Sequence, residues 1–172
     1  MLQLPYQVSW IGKKTHKKTI CMKEGIVILK VNFYNSIENS LLKFAVIVSK
    51  SQGKWVLCKH RERNTYECPG GHRDDGEDIL TTAKRELYEE TGAIDYSIKQ
   101  ICVYSVYGND GVIENKVETF GMLYYADILK FEKLPNFEME KIELFDKLPN
   151  NWTYPEIQPK LLEKVNNVIG HK

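Results

Sequence analysis

Glu86, Glu89 and Glu90 stand at i, i+3 and i+4 of a stretch patterned as a helix, so their carboxylates share one face. Like charges so placed repel by about 0.2–0.5 kcal/mol per pair on an isolated helix. A divalent cation offsets that repulsion, and an all-oxygen donor set suits magnesium, calcium or manganese rather than zinc. A solvated acidic face is the plain alternative for three acids on their own. The helix that must carry them has Asp78 as a natural N-cap, Leu80, Ala83 and Leu87 at helical spacing, and Gly92 as a C-terminal stop. A proline-diglycine turn, Pro69-Gly70-Gly71, leads into it through a polar loop from His72 to Glu77. Gly-Gly by itself is an ordinary turn, but it permits positive φ and close backbone approach to a phosphate or metal.

From Gly71 the chain reads a Gly, five residues, Glu77, seven residues, Arg85-Glu86, the aliphatic Leu87, one residue, Glu89-Glu90, one residue, Gly92 and Ala93. This resembles the signature of the Nudix hydrolase superfamily across 71–93, with Ala93 a small occupant of the final apolar place. The resemblance implies a hydrolase of nucleoside diphosphates linked to a further group, in which water attacks a phosphorus of the pyrophosphate with Mg2+, or Mn2+, as cofactor. Such transfer is catalysed chiefly by positioning and charge neutralisation. By position in the signature, Glu86, Glu89, Glu90 and the Gly70 carbonyl would hold the metal. Glu89 or Glu90 could serve partly as base, Arg85 would orient the glutamates, and Glu77 would support the loop-helix geometry. By the same resemblance, Gly71 and Glu77 would lie beside the substrate.

Outside the signature the candidates are individual. Glu118, which opens an apolar strand, is the preferred further catalytic carboxylate, with Glu114 and Asp110 as alternatives. Arg61 and Arg63 could reach a phosphate. Tyr66 is a substrate candidate within the Tyr-Glu-x-Pro-Gly-Gly run. His72 reads as solvated loop. Phe33, Tyr107 and Trp152 could stack on a base, although aromatics are more often core.

The 172 residues, 42% hydrophobic and 27% charged, suit one domain spanning 1–172. A formal net charge of +1 gives no global reason to expect nucleic-acid or acidic-membrane binding, and the basic run Lys13 to Lys18 is short. Cys21, Cys58, Cys68 and Cys102 are scattered, which predicts reduced, mostly buried thiols. No apolar run approaches the roughly 20 residues of a membrane span and no signal peptide is visible, so a cytoplasmic location is expected.

Strands are expected over Gly25–Tyr34, Leu42–Ser49, Lys54–Lys59, Ser97–Tyr107 and Lys116–Asp127, with a shorter one near Lys141–Phe145. Gln52-Gly53 predicts a hairpin between the second and third. The interval Gly108–Asn115 reads as a functional loop. A helix over about 155–169 carries an apolar stripe of Ile157, Leu161, Leu162, Val165 and Ile169, with Pro159 at its start. This order argues for a mixed sheet covered by helices, an α/β (α+β) fold. The resemblance implies the Nudix α/β/α sandwich with a mixed central sheet.

The leading functional expectation is Mg-dependent cleavage of a nucleoside triphosphate, such as 8-oxo-dGTP, to monophosphate and pyrophosphate. ADP-ribose or dinucleotide cleavage is the alternative within the family. A non-catalytic nucleotide-binding regulator is the alternative of another class. The partner is a small-molecule nucleotide, on a monomer or homodimer.

Overall fold

The computed structural model describes residues 29–109 and 114–170. The strands are β1 (Lys30–Tyr34), β2 (Leu42–Ser51), β3 (Lys54–His60), β4 (Gly70–His72), β5 (Ala93–Asn109), β6 (Glu114–Phe131) and β7 (Met139–Phe145). The helices are α1 (Ile79–Thr91) and α2 (Gln158–Ile169), with a short 3-10 turn at Asn39–Leu41. The sheet runs β1-β5-β6-β2-β3-β7, and β4 is a further partner of β2. Among these strand pairs only β2 and β6 are parallel, so the sheet is mixed as expected.

Strand alternation divides the core between two faces. Beneath α1, Ile79, Ala83 and Leu87 pack on Ala45, Ile47, Val56, Val103 and Met122. Beneath α2, Ile157, Leu161, Leu162 and Val165 pack on Val48, Leu57, Tyr104, Val106 and Leu123. Neighbours such as Ile47 and Val48, or Val103 and Tyr104, therefore serve opposite layers. The result is a helix on each face of one sheet.

The β2–β3 hairpin turns through Gln52 (φ 54°) and Gly53 (φ 79°), the paired positive values that a tight two-residue hairpin demands. β5 and β6 are much longer than the apolar runs that mark them, and register shifts along their ladder absorb the twist of so long a pair. The Gly70–His72 segment, expected as a turn, is a short strand, because Ala45 and its neighbours on β2 leave backbone groups for it to pair with. Pro159 lies in the first turn of α2, where its missing N–H costs nothing. Cys58, Cys68 and Cys102 are buried free thiols. The expected stretch Gly25–Ile28, the basic run, Cys21, Asp110 and the side chain of Glu114 lie outside the described residues. No helix among the described residues is long and apolar enough to cross a membrane.

Candidate active site

The α1 stripe holds Ala83 and Leu87 inward as expected and departs only at Leu80. Ile79, Thr82, Ala83, Leu87 and Thr91 are buried, whereas Leu80 is 37% exposed. Starting the inward stripe at Ile79 rotates the helix so that Glu86 and Glu90 flank the packed face. Asp78 holds the N-cap position, yet its side chain makes no cap hydrogen bond. Glu77 does the nearby work: its Oε2 accepts from Thr82 Oγ1 at 2.7 Å and from the Asp74 amide at 3.2 Å. Gly92 closes the helix in the left-handed region at φ 73°, its N–H donating to the Tyr88 carbonyl.

β4 brings the diglycine against this helix. The Ile47 amide donates to the Pro69 carbonyl and the Arg73 amide to the Lys43 carbonyl, while Val46 stands opposite Gly70. That phasing makes Val46–Gly70 a non-hydrogen-bonded pair, so the amide and carbonyl of Gly70 both face away from β2. The amide donates to Glu90 Oε2 at 2.9 Å. The Gly70 carbonyl thus lies on the edge of β4 that Glu90 approaches. Gly71 is against Glu86 so closely that a Cβ there would lie 2.2 Å from Oε1.

Arg85 organises the acids. Its Nε and Nη2 bond the two oxygens of Glu77 at 3.0 and 2.9 Å, and Nη1 reaches Glu86 Oε1 at 2.7 Å and Glu89 Oε2 at 3.3 Å. Nη2 also donates to the His72 carbonyl at 3.0 Å, so the guanidinium ties the loop to the helix. This forked bonding, first to Arg85 and then to Thr82, holds the Glu77 carboxyl down at about 2. Glu90 behaves oppositely: burial pushes its carboxyl well above the usual range, the Gly70 N–H opposes this, and the charges of Glu86, Glu67 and Glu138 add to it. Burial likewise raises Glu86, against Arg85, with Glu89 and Glu138 adding repulsion.

Among the described residues no three carboxylate, imidazole or thiol groups converge as they stand on one metal position. The donor chemistry nonetheless suits a hard divalent cation. Glu86 and Glu90 are crowded anions with incomplete neutralisation, oxygen is the only donor type they present, and a backbone carbonyl edge adjoins them.

The other expected residues are dispersed. Glu118 Oε1 accepts from Ser105 Oγ at 2.5 Å, Tyr34 OH at 2.8 Å and Asn32 Nδ2 at 3.3 Å, all on β5 and β1. Ser105 is the first of these bonds to hold its carboxyl below the usual range. Arg61 bonds Asn136 Oδ1 and the Met139 carbonyl. Arg63 reaches Glu67 Oε2 at 3.2 Å and also pairs with Tyr154. Tyr66 packs edge-on to Phe145, and its hydroxyl donates to Glu143 at 2.6 Å. Trp152 is bridged to Tyr66, Lys164 covers the Phe33 ring, and Tyr107 is exposed. His72 is exposed, with its ring edge-on to Phe44.

Sequence reasoning missed Glu67, a 6% exposed carboxylate paired with Arg63 and close enough to Glu90 to raise it. Its position two residues before Pro69 was the available signal. It also missed a cleft of about 520 Å³ lined by Gly70, Gly71, Phe44, Tyr104, Tyr154 and, at the start of α2, Gln158.

Alongside this glycine strand and its part-buried glutamates stands a family match: the NUDIX domain model aligns with residues 40–159. This chain belongs to the Nudix family. It is 38% identical over 110 residues to a Bacillus subtilis (strain 168) protein named "Putative 8-oxo-dGTP diphosphatase YtkD". That alignment spans 63% of this chain and 65% of the relative, just under two thirds of the relative's length. A crystal structure of the Bacillus subtilis pyrophosphohydrolase BsRppH superposes with TM-score 0.66 at 28% identity, over 81% of this Nudix chain and 90% of that one. A Caenorhabditis elegans Ap4A hydrolase shares the fold at TM-score 0.59 and 18% identity, over 76% of this chain and all of that one.

Proposed function

We propose that the protein is a divalent-cation-dependent pyrophosphohydrolase that cleaves a nucleoside triphosphate to monophosphate and pyrophosphate, with 8-oxo-dGTP within its substrate class. One observation carries the reading. Two part-buried carboxylates, Glu86 and Glu90, are held at a glycine strand beside an aromatic cleft large enough for a nucleoside. The name and 38% identity of the Bacillus subtilis relative support the triphosphate class.

Glu86, Glu89, Glu90 and the Gly70 carbonyl would hold the cation. When bound, it would neutralise pyrophosphate charge and lower the pKa of the attacking water. The chain's own contribution is placement. Arg85 fixes Glu86 and Glu89 from one side and Gly70 N–H fixes Glu90 from another, so the carboxylates are set before substrate arrives. Glu89, more exposed than Glu86 on the same helix, is free to take a proton from water once Arg85 loosens its 3.3 Å contact. The cleft receives the base and sugar on rings of Phe44, Tyr104 and Tyr154. Arg63, bonded to Glu67 and Tyr154, is the arginine assigned to a phosphate oxygen in this reading.

The test is product analysis on common and 8-oxo nucleoside triphosphates, ADP-ribose and dinucleoside polyphosphates, with magnesium, manganese or EDTA. Pyrophosphate and a monophosphate from a triphosphate, abolished by EDTA, are expected. Hydrolysis confined to ADP-ribose or dinucleotides would replace this reading with the alternative inside the family.

A further inference from the structure

Gly121 stands in the interior of β6, buried, with no positive φ to demand a glycine. A glycine so placed weakens a strand and marks a point of close approach. What approaches is a pair of rings. A Cβ on Gly121 would lie 2.2 Å from both Cδ2 and Cε2 of Phe44 and 2.9 Å from Cε1 of Tyr104. The register explains the meeting, because Gly121 is the partner of Tyr104 on β5 and of Phe44 on β2. Residues two strands apart in one row are separated by about 10 Å. The two ring centroids are 5.5 Å apart, inclined at 56°, so both side chains lean inward over the glycine. A β-bulge between Leu42 and Phe44 prepares this. Leu42 packs in the α1 layer, and one extra residue, Lys43, turns Phe44 to the α2 layer instead. Next in the row is His72 on β4, its ring edge-on to Phe44 at 6.2 Å.

We infer that Gly121 positions the stacking surface of the cleft: its missing side chain lets Phe44 and Tyr104 meet as one platform, on which an entering nucleoside lays the face of its base. This rests on the nucleotide reading above. Phe44 and Tyr104 line the cleft, and Gly121 acts through them without touching substrate. A methyl group at position 121 drives the Phe44 ring off β6, because the backbone beneath cannot yield as a side chain does. The ring then moves into the cleft it lines, which splits the platform and narrows the space above it. The row from Tyr104 through Gly121 and Phe44 to His72 also carries this surface up to the strand where the Gly70 amide meets Glu90. A base held on the platform is thereby linked to the end of the site that handles phosphate.

Calorimetric titration of the full chain with dGMP tests this without any turnover. Gly121→Ala, shown to be folded by circular dichroism, should bind dGMP about tenfold more weakly than wild type, within the range of a lost base–aromatic stack. On a hydrolysed triphosphate, its KM should rise by more than its kcat falls. Phe44→Leu supplies a second background, since leucine brings no ring to collide with the added methyl. Phe44→Leu and the double variant Phe44→Leu/Gly121→Ala should therefore bind dGMP within about threefold of each other. That comparison holds even where Gly121→Ala alone does not fold. Equal dGMP affinity in folded Gly121→Ala and in wild type would make the glycine a matter of packing only and overturn the inference. So would a double variant that binds dGMP about tenfold more weakly than Phe44→Leu, or a wild-type protein that binds no dGMP. If no triphosphate is hydrolysed but dGMP binding follows this pattern, the catalytic proposal fails and this one stands. Metal-dependent hydrolysis with a KM unmoved by Gly121→Ala would leave the catalytic proposal standing and overturn this one.

Discussion

The carboxylate of Glu86 fills the space that a side chain on Gly71 would need: a Cβ at Gly71 would lie 2.2 Å from Oε1 and 2.4 Å from Cδ of Glu86. Gly71 is thus required by a side chain on a neighbouring helix and not by its own φ. Gly71→Ala should push the Glu86 carboxylate off its Arg85 contact and lower kcat by about tenfold or more, the scale of misplacing a positioned group. Unfolding temperature should fall only slightly, since the Glu86 side chain can swing toward solvent. A variant with wild-type kcat would show that Glu86 need not sit where it does.

Glu90 combines burial with neighbouring negative charge. Glu90→Gln retains an oxygen for the Gly70 N–H and removes one of the crowded charges. The metal-free variant should be as stable as wild type, or more so by about 0.2–0.5 kcal/mol on the like-charge scale, while turnover falls by orders of magnitude. Magnesium should raise the unfolding temperature of the wild type, and chelation should reverse the rise. The variant should show a smaller response to both. Thermal denaturation with and without EDTA reads all of this, and an equal magnesium response in the two proteins would remove Glu90 from the cation site.

Arg85 bonds three carboxylates and a carbonyl with one planar group. Lysine brings the same charge without the fork, so Arg85→Lys should fail to hold Glu77 and Glu86 together. We expect a loss of about 1–3 kcal/mol in stability, the range for stranding part-buried polar partners, with kcat reduced more than KM is raised. Chemical denaturation and steady-state kinetics measure the two parts separately.

The Arg85–Glu77 pair also sets a pH dependence. Glu77 has a folded-state carboxyl near 2, below the ordinary value of 4.5. A depressed folded value means stability that is present above the unfolded value and is lost as pH falls through the window from about 4.5 to about 2. Glu77→Gln should be less stable than wild type at neutral pH, and the difference should shrink across that window. A gap that stays constant from pH 6 to about 2 would show that the Arg85 contact does not hold the charge.

What the sequence made legible follows from which interactions are local. The α1 termini, the strands β2 and β3, and the apolar stripe of α2 depend on neighbours within a turn or a hairpin, and spacing exposes them. Ala83 and Leu87 face inward as their spacing suggests, but Ile79 and not Leu80 takes the first inward place, in a core that also holds Ala45 and Val103 from far away in the chain. Asp78 looked like a cap by type, yet Glu77 holds the turn, as only the position of Arg85 could reveal. Glu67 and Gln158 escaped notice because their roles come from burial between segments that meet only in the fold. Tyr66 stands beside the signature in sequence, but in the fold its ring packs on Phe145 and its hydroxyl donates to Glu143.

Glu118 is where local reading and tertiary contacts diverge most. Strand position made it the choice for a further catalytic carboxylate. Its Oε1 accepts from Ser105, Tyr34 and Asn32, which join β6 to β5 and to β1 at the sheet edge. Ser105 is fully buried, so removing its acceptor would leave a stranded hydroxyl. Glu118→Ala should therefore cost about 1–3 kcal/mol of stability and loosen β1, with faster amide exchange at Asn32 and Tyr34. Turnover of the folded fraction should stay within about twofold of wild type, because none of the three donors comes from α1. A folded Glu118→Ala protein with kcat lowered a hundredfold would return this carboxylate to the reaction.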